Sequence, residues 1–198
     1  FGSTSGTFMP STTVQMGTTG NDALSDGGTA QLLVGNGGND TLTATAASVL
    51  RGGNGSDTFV VNQTMVTALQ KAYGQVGNNG DYNASIDGGH GGINSTTAFN
   101  TTTNVPSLDT LKLSGSSIAL DLTQVSNVGH LDPKVNSRIS GIEVIDLNGA
   151  TNTLKLTAKD VLDISDAVDL SAIIGKADYR QLVVRDSSVS GTISGRTA

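Results

Sequence analysis

The sequence predicts a mainly β fold: a parallel β-roll or β-solenoid with one or two short helices packed on it. Three observations carry that prediction. A glycine- and aspartate-bearing nonapeptide recurs in the first third of the chain. Its copies fall about two nonapeptides apart, the length of one coil of such a roll. Short Val-, Ile- and Leu-rich runs follow the copies, and a thick globular core is not provided for: 4% of the 198 residues are aromatic and none is Trp.

The fullest copy is Gly52-Gly53-Asn54-Gly55-Ser56-Asp57-Thr58-Phe59-Val60, which meets G-G-x-G-x-D-x-U-x (U a large apolar residue) at every fixed position. Gly35-Asn36-Gly37-Gly38-Asn39-Asp40-Thr41-Leu42-Thr43 keeps the first glycine, the fourth-position glycine, the aspartate and the apolar residue. Gly17-Thr18-Thr19-Gly20-Asn21-Asp22-Ala23-Leu24-Ser25 keeps the same four. The glycines let the backbone turn with positive φ and let carbonyls approach an ion closely. Each aspartate adds a hard anionic oxygen, the ligand type that Ca²⁺ takes. Aspartates at 22, 40 and 57 stack on one edge of a roll, about one strand spacing (~4.8 Å) apart. Three stacked turns leave two gaps for ions, so the turns are expected to be calcium-binding.

The half-coils between these copies are degenerate. Asp26-Gly27-Gly28-Thr29 turns the chain and Gln31-Leu32-Leu33-Val34 returns it; Ala44 to Leu50 does the same without glycine or acid. Calcium is therefore expected on one edge and a plain turn on the other. A fourth copy is split. Gly88-Gly89-His90-Gly91 begins it, Asp109-Thr110-Leu111-Lys112 ends it, and removing Gly92 to Ser107 restores the motif. Asp109 is thus an additional candidate ligand.

In chain order, residues 1–16 read as a linker or an N-terminal cap, with Val14 and Met16 placed to cover the open end of the roll. Residues 17–113 read as the β-roll with an inserted helix and loop. The helix is Gln63 to Val76, where Val66, Leu69, Tyr73 and Val76 fall at helical spacing and Asn62 or Thr64 caps the start. Gly77 to Asn83 is a turn cluster, and the Thr/Asn-rich residues 92–107 are a surface excursion. Residues 114–198 read as a β-rich continuation that caps the roll. Its strands are Ile118 to Leu122, Ile142 to Leu147, Leu154 to Leu156, Leu182 to Val184 and Val189 to Ile193. Thr157 is placed to cap a short helix, Ala158 to Ile164, with Val161, Leu162 and Ile164 turned inward. Asp169 to Ile174 reads as another helical turn.

The formal net charge of −6 argues against nucleic acid and anionic membrane as partners. With no Cys, disulfides contribute nothing, and a bound metal is the available staple. No apolar run approaches the ~20 residues of a membrane span. The chain carries no H-E-x-x-H, no G-x-S-x-G elbow and no thiol nucleophile, so no catalytic residue is assigned. His90 and His130 read as exposed loop residues. Asp121, Asp132, Asp146, Asp160, Asp163, Asp166 and Asp169 read as turn and cap residues.

With these motifs the chain resembles the repeats-in-toxin (RTX) modules of large bacterial proteins exported by type I secretion. The repeats cover 17–61 and 86–113. The remainder resembles the tail region of giant RTX adhesins. There, a segment like Ile139-Ser140-Gly141-Ile142-Glu143-Val144-Ile145-Asp146-Leu147 precedes one like Asn152-Thr153-Leu154-Lys155-Leu156-Thr157-Ala158-Lys159-Asp160-Val161-Leu162-Asp163-Ile164-Ser165. Leu182 to Ser188 departs from the family, which tends to carry further Gly and Asp there. The resemblance implies calcium ligands at aspartate side chains and turn carbonyls. The first gap takes Asp22 and Asp40 with carbonyls of Gly17, Thr19, Gly20, Gly35 and Gly37. The second takes Asp40 and Asp57 with carbonyls of Gly35, Gly37, Gly38, Gly52, Asn54 and Gly55.

The resemblance further implies a secreted or cell-surface module that folds outside the cell when calcium binds. Its partners are calcium ions and, through the parent protein, a cell-surface glycan, a peptide or an abiotic surface. Three other settings stay open: the export and folding tail of a secreted RTX enzyme, part of a surface-layer protein, and a calcium-dependent glycan- or peptide-binding module.

Overall fold

A computed structural model describes residues 13–71, 84–89, 108–127, 137–149, 151–165 and 182–188 of the chain. The described residues form a mainly β structure with two short helices. The strands are β1 (Val14–Met16), β2 (Ala23–Ser25), β3 (Leu32–Gly37), β4 (Thr41–Ala44), β5 (Val49–Asn54), β6 (Thr58–Val61), β7 (Ser85–Gly89), β8 (Thr110–Leu113), β9 (Ala119–Asp121), β10 (Ile139–Ser140), β11 (Val144–Asp146), β12 (Thr153–Lys155) and β13 (Val183–Arg185). The helices are α1 (Gln63–Leu69) and α2 (Ala158–Ile164), and a 3₁₀ turn spans Leu122–Gln124. No helix among the described residues is long and apolar enough to cross a membrane.

From β1 to β8, successive strands go to alternate sheets. One sheet has the order β1-β3-β5-β7-β10 and the other β13-β11-β8-β6-β4-β2, and every pairing is parallel. The register turns the repeat into columns. Leu24, Leu42, Phe59, Leu111 and Ile145 lie side by side in the six-stranded sheet, each the apolar residue two places after an acid. Leu33, Leu50, Ile86 and Ile139 form the matching column of the five-stranded sheet. Phe59, Leu33, Leu42, Leu50, Ile86 and Leu111 are fully buried in one cluster drawn from both sheets. Alternation along each strand places these residues on one face, so the thin core follows from strand period alone.

Both sheets continue past residue 113. β10 extends the five-stranded sheet, and β11 and β13 extend the six-stranded one. A third, two-stranded parallel sheet joins β9 to β12.

The inserted helix ends at Leu69, short of the expected Val76. Asn62 caps α1 by accepting the Met65 amide (3.0 Å), and Met65, Val66, Ala68 and Leu69 are buried. Buried Arg138 donates to the Ala68 carbonyl (3.3 Å) at its end and to the Ala84 carbonyl (3.1 Å) before β7. Thr157 and Asp160 close a capping box on α2. Leu162 is a correction to the sequence reading: it is 56% exposed. Two residues before buried Ile164, it points to the opposite side of a helix with 3.6 residues per turn.

A second correction concerns the N-terminal end. Val14 and Met16 are exposed and do not cover it. Gln15, between them, takes the core-facing column position opposite Leu33. Its Nε2 donates to the Ser25 carbonyl and to Gln31 Oε1, both at 2.7 Å. Strand alternation again decides: one face cannot hold both 14 and 15. Tyr73 and Val76, the turn cluster 77–83, His90, Gly91, the excursion 92–107, His130, Asp132, Asp166, Asp169 to Ile174 and Val189 to Ile193 lie outside the described residues.

Candidate metal-binding edge

Each turn of the repeat follows a strand of the five-stranded sheet and precedes one of the six-stranded sheet, so the turns come to one edge. An acid stands at the same place in five successive turns, one side chain per turn. Asp40 Oδ1 accepts the amide of Asp22 (2.8 Å) and Asp57 Oδ1 the amide of Asp40 (2.8 Å). Asp109 Oδ1 accepts the amide of Asp57 (2.7 Å), and Glu143 Oε2 accepts the amide of Asp109 (2.9 Å). In each turn the acid's carbonyl then accepts the amide that opens the next strand of the sheet: Thr41, Thr58, Thr110, Val144 and Val183. The column's next position is Leu182, where the acids end.

The described parts of the split fourth copy are therefore brought to the same edge. Gly88 and Gly89 close β7 beside β5, while Asp109, 52 residues after Asp57, stands beside it. Gly141 and Glu143 form a fifth step that does not carry the nonapeptide motif. No G-G-x-G precedes Glu143; the available signal is the acid two residues before a buried apolar strand centre, as in Glu143-Val144-Ile145.

The second carboxylate oxygens face a row of glycines. A Cβ at Gly35 would collide with Asp40 Oδ2 and lie 2.6 Å from the Gly52 carbonyl oxygen. At Gly52 it would collide with Asp57 Oδ2 and lie 2.7 Å from the Gly88 carbonyl oxygen. Gly17 repeats the arrangement with Asp22 Oδ2 (2.8 Å) and the Gly35 carbonyl (2.5 Å), and Gly88 with Asp109 Oδ2 (2.6 Å) and the Gly141 carbonyl. Each cradle thus gathers a carboxylate oxygen of one turn and a carbonyl oxygen of the next around a space that only glycine leaves open.

The other expected ligands lie further along the turns. Gly20, Gly38 and Gly55 form a second row; Gly38 (φ 103°) lies against Gly20, and Gly55 (φ 125°) against the Gly38 carbonyl. Thr19, Gly37 and Asn54 form an outer row, in which the Asn54 carbonyl accepts the Gly38 amide (3.0 Å) and the Gly17 carbonyl accepts Asn36 Nδ2 (2.7 Å). A side-chain ladder runs the opposite way to the acids. Asn21 Oδ1 accepts the Asn39 amide (2.7 Å), Asn39 Oδ1 the Ser56 amide (2.9 Å) and Ser56 Oγ the Leu108 amide (3.0 Å).

The edge carries an electrostatic debt. Asp40 and Asp57 are each 1% exposed, and the Oδ2 of both has no hydrogen-bond partner. Burial pushes the Asp57 carboxyl up to about 6, and the Asp40 carboxylate adds to the rise. Asp40 is raised too, by burial and by Asp22. Asp22 differs: Thr18 gives its Oδ2 an amide (2.6 Å) and a hydroxyl (2.9 Å). Among the described residues, no three His, Cys, Asp or Glu side chains gather into a metal-holding group.

No family model, curated protein or solved structure matches the chain. The chemistry of this edge is read from its own residues.

Asp26, on the opposite edge, shows what a satisfied buried carboxylate looks like here. It is fully buried and accepts the amides of Gly28, Thr45 and Ala46 and the hydroxyls of Thr45 and Ser48. Burial pushes its pKa up, but these donors together hold it below the ordinary carboxylate value. The expected plain turn is therefore an acid-pinned one. At the far end Asp146 is satisfied by Asn148, Ser187 and Arg185 Nε (3.2 Å).

Proposed function

We propose that the chain is a calcium-dependent folding and structural module of a secreted bacterial adhesin of the repeats-in-toxin type. The carrying observation is the pair of buried, partnerless oxygens, Asp40 Oδ2 and Asp57 Oδ2, each sharing a glycine cradle with the next turn's carbonyl. A buried carboxylate oxygen without a donor is costly, and a cation is the partner such oxygens take. The alternation of strands β1 to β8 between two parallel sheets supports a β-roll as the architecture.

The donor set fits a hard divalent cation: carboxylate and carbonyl oxygens, with no nitrogen or sulfur. Asp22, Asp40 and Asp57 hold the first two gaps with the Gly35 and Gly52 carbonyls. Asp109 and Gly88 extend the edge, and Gly141 and Glu143 end it. Bound calcium supplies the positive charge that lets these acids stay ionised while buried. In its absence the stacked carboxylates repel, and ordering a Gly-rich chain costs much entropy. A chain with this balance stays open in the low calcium of the cytosol, as type I export requires, and closes outside at about 10⁻³ M calcium. Surface adhesion belongs to the parent protein.

Circular dichroism during Ca²⁺ titration of the chelated protein, with Mg²⁺ as control, tests the reading. A steep coil-to-β transition with Ca²⁺ alone is the expected result. A chain that is fully folded in chelator and unmoved by Ca²⁺ refutes it.

A further inference from the structure

The described residues hold three Asn-Gly steps: 36–37, 54–55 and 148–149. Such a step can rearrange without an enzyme. The glycine amide nitrogen, losing its proton, attacks the asparagine Cγ. The Cγ–Nδ2 bond breaks, ammonia leaves, and the resulting succinimide takes up water to give aspartate or isoaspartate. Glycine favours this because no Cβ obstructs its nitrogen, and asparagine is among the thermolabile residues.

The fold treats the three steps differently. Asn36 Nδ2 donates to the Gly17 carbonyl (2.7 Å), and the attacking nitrogen of Gly37 donates to the Thr18 carbonyl (3.2 Å). Asn148 Nδ2 donates to the Leu113 carbonyl (2.9 Å), its Oδ1 accepts from Ser187 Oγ (3.2 Å), and the Gly149 nitrogen donates to Asp186 Oδ1 (3.1 Å). In both, leaving group and nucleophile are each tied down. At the third step neither is tied to any of the described residues: the exposed Asn54 side chain makes no hydrogen bond to them, and β5 ends at Asn54, so the Gly55 nitrogen lies outside the sheet ladder with no acceptor among them.

We propose that Asn54 is a self-modification site, converting through a succinimide with Gly55 while Asn36 and Asn148 are protected by the fold. The site sits in the acid-bearing turn of Asp57. Aspartate would add a charge there. Isoaspartate would lengthen the backbone by one carbon, at the residue whose carbonyl holds the Gly38 amide.

The test is to age the folded chain at mildly alkaline pH and map isoaspartate and deamidated peptides. Asn79-Gly80, outside the described residues, is scored separately. Having to free two hydrogen-bonded groups first should slow Asn36 and Asn148 by roughly tenfold or more relative to Asn54. In urea the three rates should converge. Asn54→Gln should remove the modification at residue 54. Asn36 or Asn148 reacting as fast as Asn54 in the folded chain overturns the proposal. So does a difference that persists in urea, which would assign it to local sequence.

Discussion

Asp26 and Asp57 are both buried aspartates, and what their oxygens touch separates them. Asp26 is saturated by donors; Asp57 keeps one oxygen bare. The contrast fixes a pH dependence. In the ion-free fold Asp57 titrates near 6, against 3.8 for the ordinary group. The fold therefore holds a proton that the unfolded chain has released, and stability present below 3.8 is lost as pH rises through about 6. Asp26 and Asp146 are lowered, so their stabilisation is present above 3.8 and fades only as pH falls below it. In chelator, circular dichroism should show β structure gained as pH falls from about 6 toward 3.8, and Asp57→Asn should flatten that gain. Each acid is also predicted to count differently in ion binding. Asp40 sends Oδ1 to the first turn and Oδ2 to the cradle shared with the third, so Asp40→Ala should weaken two sites where Asp22→Ala weakens one. Equilibrium dialysis with calcium measures this, and equal losses would contradict it. The cradle makes its own prediction. Gly52→Ala drives a methyl into Asp57 Oδ2 and the Gly88 carbonyl, and should cost about 1–3 kcal/mol. Gly20→Ala meets nothing nearer than Thr18 Oγ1 at 3.7 Å and should be close to silent in the same denaturation assay. The aspartate column was legible because a fixed spacing repeats. Glu143, Gln15 and the saturation of Asp26 were not, since each depends on which residues lie one coil away.

Elements were legible where a local rule sets them. The start of α1 follows from Asn62 ahead of an apolar helical stripe, and that of α2 from Thr157 with Asp160 three residues on. Asn62→Ala should destabilise the fold by about 1 kcal/mol, the usual cost of losing such a cap; chemical denaturation reads it, and no change would deny the cap its role. Faces were less legible than starts. Val161, Leu162 and Ile164 are all apolar, and a helix of seven residues can bury only one side. The pairing of β9 with β12 was invisible: neither strand belongs to the repeat, and a 34-residue separation leaves no periodic trace. Asn152 carries part of that connection. It accepts the Ile118 amide and donates to the carbonyls of Gly115 and Leu147, a polar hub between coils.

At the scale of the described residues, the sequence announced a mainly β fold of parallel strands with two short helices. The alternation of sheets through β8 follows from the repeat length, and β10, β11 and β13 then take the next places. The acids stop at Leu182, which stands where the column would take a carboxylate. β13 is held instead by Arg185 on Asp146. Such a molecule is dominated by contacts between distant residues, so its folding is expected to be slow.

The acid column tolerates an interruption without losing step. From Asp57 to Asp109 the chain runs 52 residues, three times the 17 that separate Asp40 from Asp57, yet the amide-to-carboxylate bond is the same length within 0.1 Å. The scaffold therefore behaves like a spine with an expansion slot. The vertebrae above and below keep their spacing across the longer step. Variety in what such a protein displays need not disturb what holds it up.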